Sequence, residues 1–153
     1  MSDPLPQRKQ LVHTPPSGVS QSELYFITIN GNPRGLNQFA RTPLGELILD
    51  SVKFHHTQQN WFCRLLVIMP DHLHLLVAFP QTTGMKQFIT AWKSYLSKQS
   101  NVVWQRDFFD HRLRGWESIE AKADYIRQNP VRAKLVTQFE EWPWRWEADV
   151  PAA

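Results

Sequence analysis

Residues 69–79, MPDHLHLLVAF, set two histidines one position apart inside an otherwise apolar run. Side chains alternate along a strand, so His72 and His74 project from one face while Leu73, Leu75, Val77 and Phe79 project from the other. The apolar face is complete without the imidazoles, and two rings on one face at this spacing can reach a single metal ion. A short pair of this kind also fits the polar outward face of a half-exposed strand. A second set of candidates lies in ADYIRQNPVRAKLV, residues 123–136. If Ile119, Ala123 and Ile126 form the apolar stripe of a helix, Tyr125 lies about 120° from the centre of that stripe, where packing does not account for it. Asn129 shares Tyr125's side of the helix and offers a carbonyl oxygen to a metal near the phenol. Asn before Pro is equally a turn or N-cap signal, with Pro130 opening a new helical turn.

The elements that must position these residues are readable from periodicity. LYFITIN, residues 24–30, is rich in aromatic and β-branched residues and stops at GNPRG, as a strand followed by a loop does. Thr42 before Pro43 reads as an N-cap with proline at the first helical position, and Leu44, Leu47, Ile48 and Val52 continue a helix to about His55. WFCRLLVIM and HLHLLVAF, separated only by PD, can pair only as an antiparallel hairpin. A second helix carries Met85, Phe88, Ile89, Trp92 and Leu96 on one face, with Thr83 as its cap. A fourth strand is expected from about Phe108 to Arg114, and then a helix capped by Ser118. This order predicts an α+β, ferredoxin-like sandwich with a four-stranded antiparallel sheet. A Pro/Ser-rich arm is expected over 1–22, a single domain over 23–147 and a tail over 148–153.

A chain of 153 residues can bury a core without disulfides, and its one cysteine, Cys63, allows no internal disulfide. No run reaches the roughly 18 apolar residues of a membrane span, and the first residues lack a secretory segment, so a cytoplasmic location is expected. The net charge of +3 is regional: residues 83–134 hold ten lysines and arginines interleaved with Trp92, Trp104 and Trp116. That composition suits a polyanion whose bases can stack, or an ordinary solvated face over core tryptophans.

MPDHLHLLV, WQRDFFDHRLR and DYIRQNPVRAKLV, in that order, resemble the HUH single-tyrosine transposases, and most closely their REP-associated tyrosine transposase branch. The likeness runs from Leu24 to about Trp146. It implies a ferredoxin-like HUH endonuclease core acting on single-stranded DNA, with the motif histidines at His72 and His74, the nucleophile at Tyr125 and a candidate third metal ligand at Asn129. Tyr95, in KSYLSK, competes for the nucleophile's role but flanks the apolar face of its helix. Chemistry then favours Mg²⁺ or Mn²⁺ over Zn²⁺, because the motifs offer no thiolate and phosphate oxygens complete an octahedral shell. The expected reaction is cleavage and rejoining through a 5′-phosphotyrosine at repeat hairpin elements, by a nucleoid-associated protein. Arg112, Arg114, Arg127, Arg132 and Lys93 are the candidate contacts to the DNA backbone. A monomer is expected, with no membrane and no small-molecule cofactor. The rival readings are a non-catalytic nucleic-acid-binding ferredoxin-like module and a metal-dependent hydrolase of small phosphodiesters. The arm offers only Arg8, Lys9 and His13 as cations for reading DNA, and the Trp-rich tail, EWPWRW, has no assigned partner.

Overall fold

The computed structural model describes residues 19–149. The arm expected over 1–22 lies outside the described residues except for its last four, which belong to the first strand. The elements are β1 (Val19–Asn30), α1 (Leu44–Thr57), β2 (Phe62–Ile68), β3 (His72–Pro80), α2 (Met85–Gln99), β4 (Phe109–Arg112), α3 (Ile119–Arg127), α4 (Asn129–Arg132), a 3₁₀ turn (Phe139–Glu141) and β5 (Arg145–Glu147). They build one sheet in the order β4-β1-β3-β2-β5, every neighbouring pair antiparallel. Its first four strands, β4-β1-β3-β2, give the ferredoxin-like arrangement expected from the sequence.

The expected count of four strands is corrected to five. The Trp-rich tail supplies β5, which pairs with β2 through Leu65–Glu147, Leu66–Trp146 and Val67–Arg145. An unpaired edge of β2 would leave backbone donors and acceptors open. The tail closes it: Ile68 N donates to Trp144 O at 2.9 Å, and Trp142 Nε1 donates to Ile68 O at 3.0 Å.

The period-2 pattern of β3 sorts the molecule into two layers. Leu73, Leu75, Val77 and Phe79 join Ile27, Ile29, Trp61 and Ile68 in a core covered by α1 and α2, through Ile48, Val52, Ile89, Trp92 and Leu96. On the other face Leu76 and Ala78 meet Leu65, Val67 and the stripe Ile119, Ala123 and Ile126 of α3, closed by Phe139 and Trp142. Burial of each such aliphatic or aromatic side chain contributes about 1.5–3 kcal/mol. Ser118 caps α3 as expected, accepting from Ala121 N at 3.1 Å. The other two expected caps are corrected: Pro43 rather than Thr42 holds the N-cap position of α1, Gly84 rather than Thr83 that of α2, and neither has a side-chain cap bond.

Candidate active site

The histidines lie on the α3-covered face of β3, at its start, on the same face as Leu76 and Ala78, which belong to the cluster that includes the stripe of α3. Their rings stand 4.7 Å apart, centroid to centroid, at 78°. Each ring is held by its Nδ1. His72 Nδ1 lies 2.7 Å from Asp71 Oδ1, and an ionised carboxylate only accepts, so this nitrogen carries the proton and the lone pair of the neutral ring sits on Nε2. His74 Nδ1 lies 3.1 Å from Thr28 Oγ1, its neighbour across the β1–β3 ladder. In the tautomer with Nδ1 donating to this hydroxyl, His74 also presents Nε2. Among the described residues neither Nε2 has a hydrogen-bond partner. A ring fixed through one nitrogen with the other left open is how proteins prepare imidazole for a metal.

Electrostatics favour the same state. Burial pushes the His72 pKa down, partly opposed by the hydrogen bond and charge of Asp71. Burial lowers His74 further, to about 3, with the charges of His72, Arg132 and Arg34 adding in the same direction. Both rings are neutral at pH 7, as ligands must be. Burial alone would raise Asp71, but Arg34 Nε at 2.9 Å, Gly35 N at 2.7 Å and His72 together hold it below the usual carboxylate range.

Tyr125 sits on α3 over the same sheet face, 54 % exposed, as its off-stripe position requires. Two cations hold its ring: the Arg132 guanidinium carbon is 4.3 Å from the ring centroid and Lys122 Nζ is 5.5 Å from it. Arg132 also donates to the Tyr125 carbonyl at 3.0 Å. Lys122 Nζ lies 5.2 Å from the Phe26 ring, which is itself 5.4 Å from the His74 ring. Phe26 and Lys122 thus link the phenol to the histidine pair. Tyr95, the competitor, lines a groove between α1 and α2 on the other side of the sheet. Asn129 opens α4, and its Nδ2 donates to Ile126 O at 3.2 Å, leaving Oδ1 as an open acceptor. The donor set therefore fits a hard divalent ion in part: two pinned neutral imidazoles on β3, and an open amide oxygen at the start of α4. Among the described residues no third His, Cys, Asp or Glu converges to complete a cluster.

The five candidate backbone contacts separate. Arg132 is at the tyrosine, and Arg114 is exposed on the loop after β4. Arg112 pairs with Tyr25, which packs against Phe79, so it leaves the sheet on the face opposite the histidines. Lys93 is buried and donates to the carbonyls of Gln105 at 3.1 Å and Arg106 at 3.5 Å. Arg127 is paired with Glu147 and Asp124, which raise its pKa. Sequence reasoning missed Thr28, Asp71, Arg34, Phe26 and Lys122. Asp71 alone left a local signal, an acidic residue directly before the pair.

The sheet order, the imidazole pair on its central strand and the tyrosine helix across that face define an HUH-like α+β core. Among known proteins the resemblance is to REP-associated tyrosine transposases. The chain is 28 % identical over 83 residues to the REP-associated tyrosine transposase of Escherichia coli strain K12, covering 51 % of this chain and 49 % of that protein. It is 27 % identical over 96 residues to a Haemophilus influenzae protein provisionally given the same name, covering 52 % and 54 %. The chain spans about half the length of these curated relatives. A solved REP-associated tyrosine transposase bound to a REP hairpin has the same fold, with a TM-score of 0.67 at 19 % identity over 86 % of this chain and 89 % of that one. A crystal structure from Deinococcus radiodurans R1, provisionally named a transposase, gives a TM-score of 0.51 at 16 % identity over 72 % and 89 %. No family model matches the chain.

Proposed function

We propose that this protein is a transposase-like endonuclease and strand transferase of single-stranded DNA, acting at repeat hairpin elements through a 5′-phosphotyrosine. The observation that carries the reading is the shared face: a pinned, neutral imidazole pair and an exposed phenol joined by Phe26 and Lys122. The similarity to REP-associated tyrosine transposases, one of them solved on a REP hairpin, supports the choice of DNA. His72, His74 and Asn129 would hold Mg²⁺ or Mn²⁺. When bound, such an ion supplies Lewis-acid polarisation of the scissile phosphate.

The chain's own residues do the rest. Tyr125 Oη attacks phosphorus and forms the P–O bond as the bond to the 3′ oxygen breaks, so the leaving strand ends in a 3′ hydroxyl. The phosphotyrosine keeps the bond energy, and another 3′ hydroxyl can reverse the step and join a new strand. Arg132, stacked on the phenol, and Lys122 beside it lie where a phosphodiester would bring negative charge. Arg114 and Arg132 are the cations best placed for the DNA backbone. Arg112, Lys93 and Arg127 are occupied elsewhere or turned away.

The test uses 3′-end-labelled single-stranded DNA carrying a repeat hairpin, incubated with Mn²⁺ and denatured. A protein band carrying the label is expected, and Tyr125→Phe should lose it while His72→Ala reduces it by about 100-fold or more. A label that persists in Tyr125→Phe would remove the phenol from the reaction. Tight binding with no labelled band in any divalent ion would favour the non-catalytic module.

A further inference from the structure

The edge strand β4 carries an aromatic ring that neither core uses. Phe109 is 67 % exposed and belongs to neither buried cluster. A single exposed phenylalanine is ordinary, so its position must carry the argument. Residues opposite one another in an antiparallel pair project from the same face. Phe109 is opposite Thr28, and Thr28 is opposite His74, to which it is hydrogen-bonded. The three form one row across β4, β1 and β3. At the usual strand spacing the Phe109 backbone is about 10 Å from that of His74. The next row repeats the relation, with His111 opposite Phe26, and His111 is tied to Glu117 at 3.0 Å. Trp116, the most exposed large hydrophobic among the described residues at 79 %, directly precedes Glu117 in the chain. Asp110 and Arg112 project from the other face.

We propose that Phe109 is a stacking platform for a nucleobase of single-stranded DNA, next to the imidazole pair. The inference rests on the reading above and deepens it by naming where a base flanking the reacting phosphate is held. A single strand is the fitting occupant because its bases have free π-faces, whereas those of a duplex are stacked on their neighbours. Lys122 and Arg132, on the same side of the sheet, supply positive charge for its backbone. The row continues to His74, so a strand whose phosphate lies at the histidines can place a base a nucleotide or two away over the ring. Stacking on phenylalanine tolerates any base, so this subsite sets the path of the strand and leaves its sequence to other contacts.

The experiment is best done with Tyr125→Phe, which separates binding from cleavage. The probe is a single-stranded oligonucleotide with a repeat hairpin, carrying one 2-aminopurine moved stepwise through the unpaired flank, and its quenching and anisotropy are read in buffer without divalent metal. One flank position should be quenched on binding. Phe109→Ala should abolish that quenching and weaken affinity about tenfold. Phe109→Trp should retain both, and Phe54→Ala, which removes another exposed phenylalanine from α1 on the opposite side, should change neither. Unaltered quenching and affinity in Phe109→Ala, or an equal loss in Phe54→Ala, overturns the platform. Phe109-dependent quenching in a protein that forms no tyrosyl adduct would leave the platform and sink the catalytic reading. An adduct formed with Phe109→Ala binding undiminished would do the reverse.

Discussion

At the scale of single residues, the histidine pair depends on a carboxylate that looks like part of a turn. Pro-Asp between two strands is a turn signal, and the Asp71 side chain also fastens the loop after β1 by accepting from Gly35 N. The same carboxylate fixes the tautomer of His72 and is fixed in turn by Arg34. Partners of this kind typically govern metal affinity by 10–100-fold. Asp71→Ala is therefore expected to weaken Mn²⁺ binding by about tenfold or more in calorimetric titration of the DNA-free protein, with His72→Ala abolishing it and Arg34→Ala between Asp71→Ala and the parent. Equal affinities for Asp71→Ala and the parent would show that the ring orients itself. The facing of His72 and His74 was legible from alternation alone, and so was the exposure of Tyr125 from its angle to the stripe. Thr28 and Phe26 were not, because cross-strand register is set by the whole hairpin and the β1 pairing and leaves no local trace.

At the scale of elements, the long periodic segments declared themselves and the short one did not. β5 is three residues, too short to show alternation, and it is a strand because β2 offers it an open edge. The expected caps failed at Thr42 and Thr83 for a related reason: propensity names a residue type, while the position of the first turn is set by what packs on the helix. Gly45 shows that packing directly. A Cβ there would stand 2.5 Å from the Trp144 ring and 2.8 Å from the Phe39 carbonyl oxygen, so the tail's indole lies directly against the first turn of α1. Helix propensity alone favours Gly45→Ala by about 1 kcal/mol. The opposite sign is expected, a loss of about 1–3 kcal/mol by denaturant unfolding, because both contacts are far closer than a Cβ tolerates and the Phe39 carbonyl is backbone. Trp144→Leu should relieve the clash, so that the double variant costs less than the sum of the singles. A stabilised Gly45→Ala would mean that the tail is not seated on α1.

At the scale of the whole molecule, the tyrosine helix is held at both ends by arginine–carboxylate ties as well as by its apolar stripe. Near its start Arg64, from the buried face of β2, pairs with Glu120. At its end Arg127 pairs with Glu147 of β5 and with Asp124. The second tie runs from the late edge strand, so the Trp-rich tail both pairs with β2 and is tied to the end of the helix that carries Tyr125. Partly exposed ion pairs contribute little to stability, so Glu147→Gln should change unfolding free energy by no more than about 1 kcal/mol. Reaction rate is a stricter measure, because displacement of a reacting group by about 1 Å can cost 100-fold. On the proposed mechanism, Glu147→Gln should slow formation of the tyrosyl–DNA adduct at least tenfold while leaving affinity for the oligonucleotide unchanged. Single-turnover kinetics beside anisotropy would separate the two. The same slowing in Glu120→Gln, where Arg64 is left buried and unpaired, should come with a larger loss of stability of about 1–3 kcal/mol. If Glu147→Gln instead reacts at the parental rate, the apolar stripe alone holds the helix, and the fifth strand serves only to close the sheet.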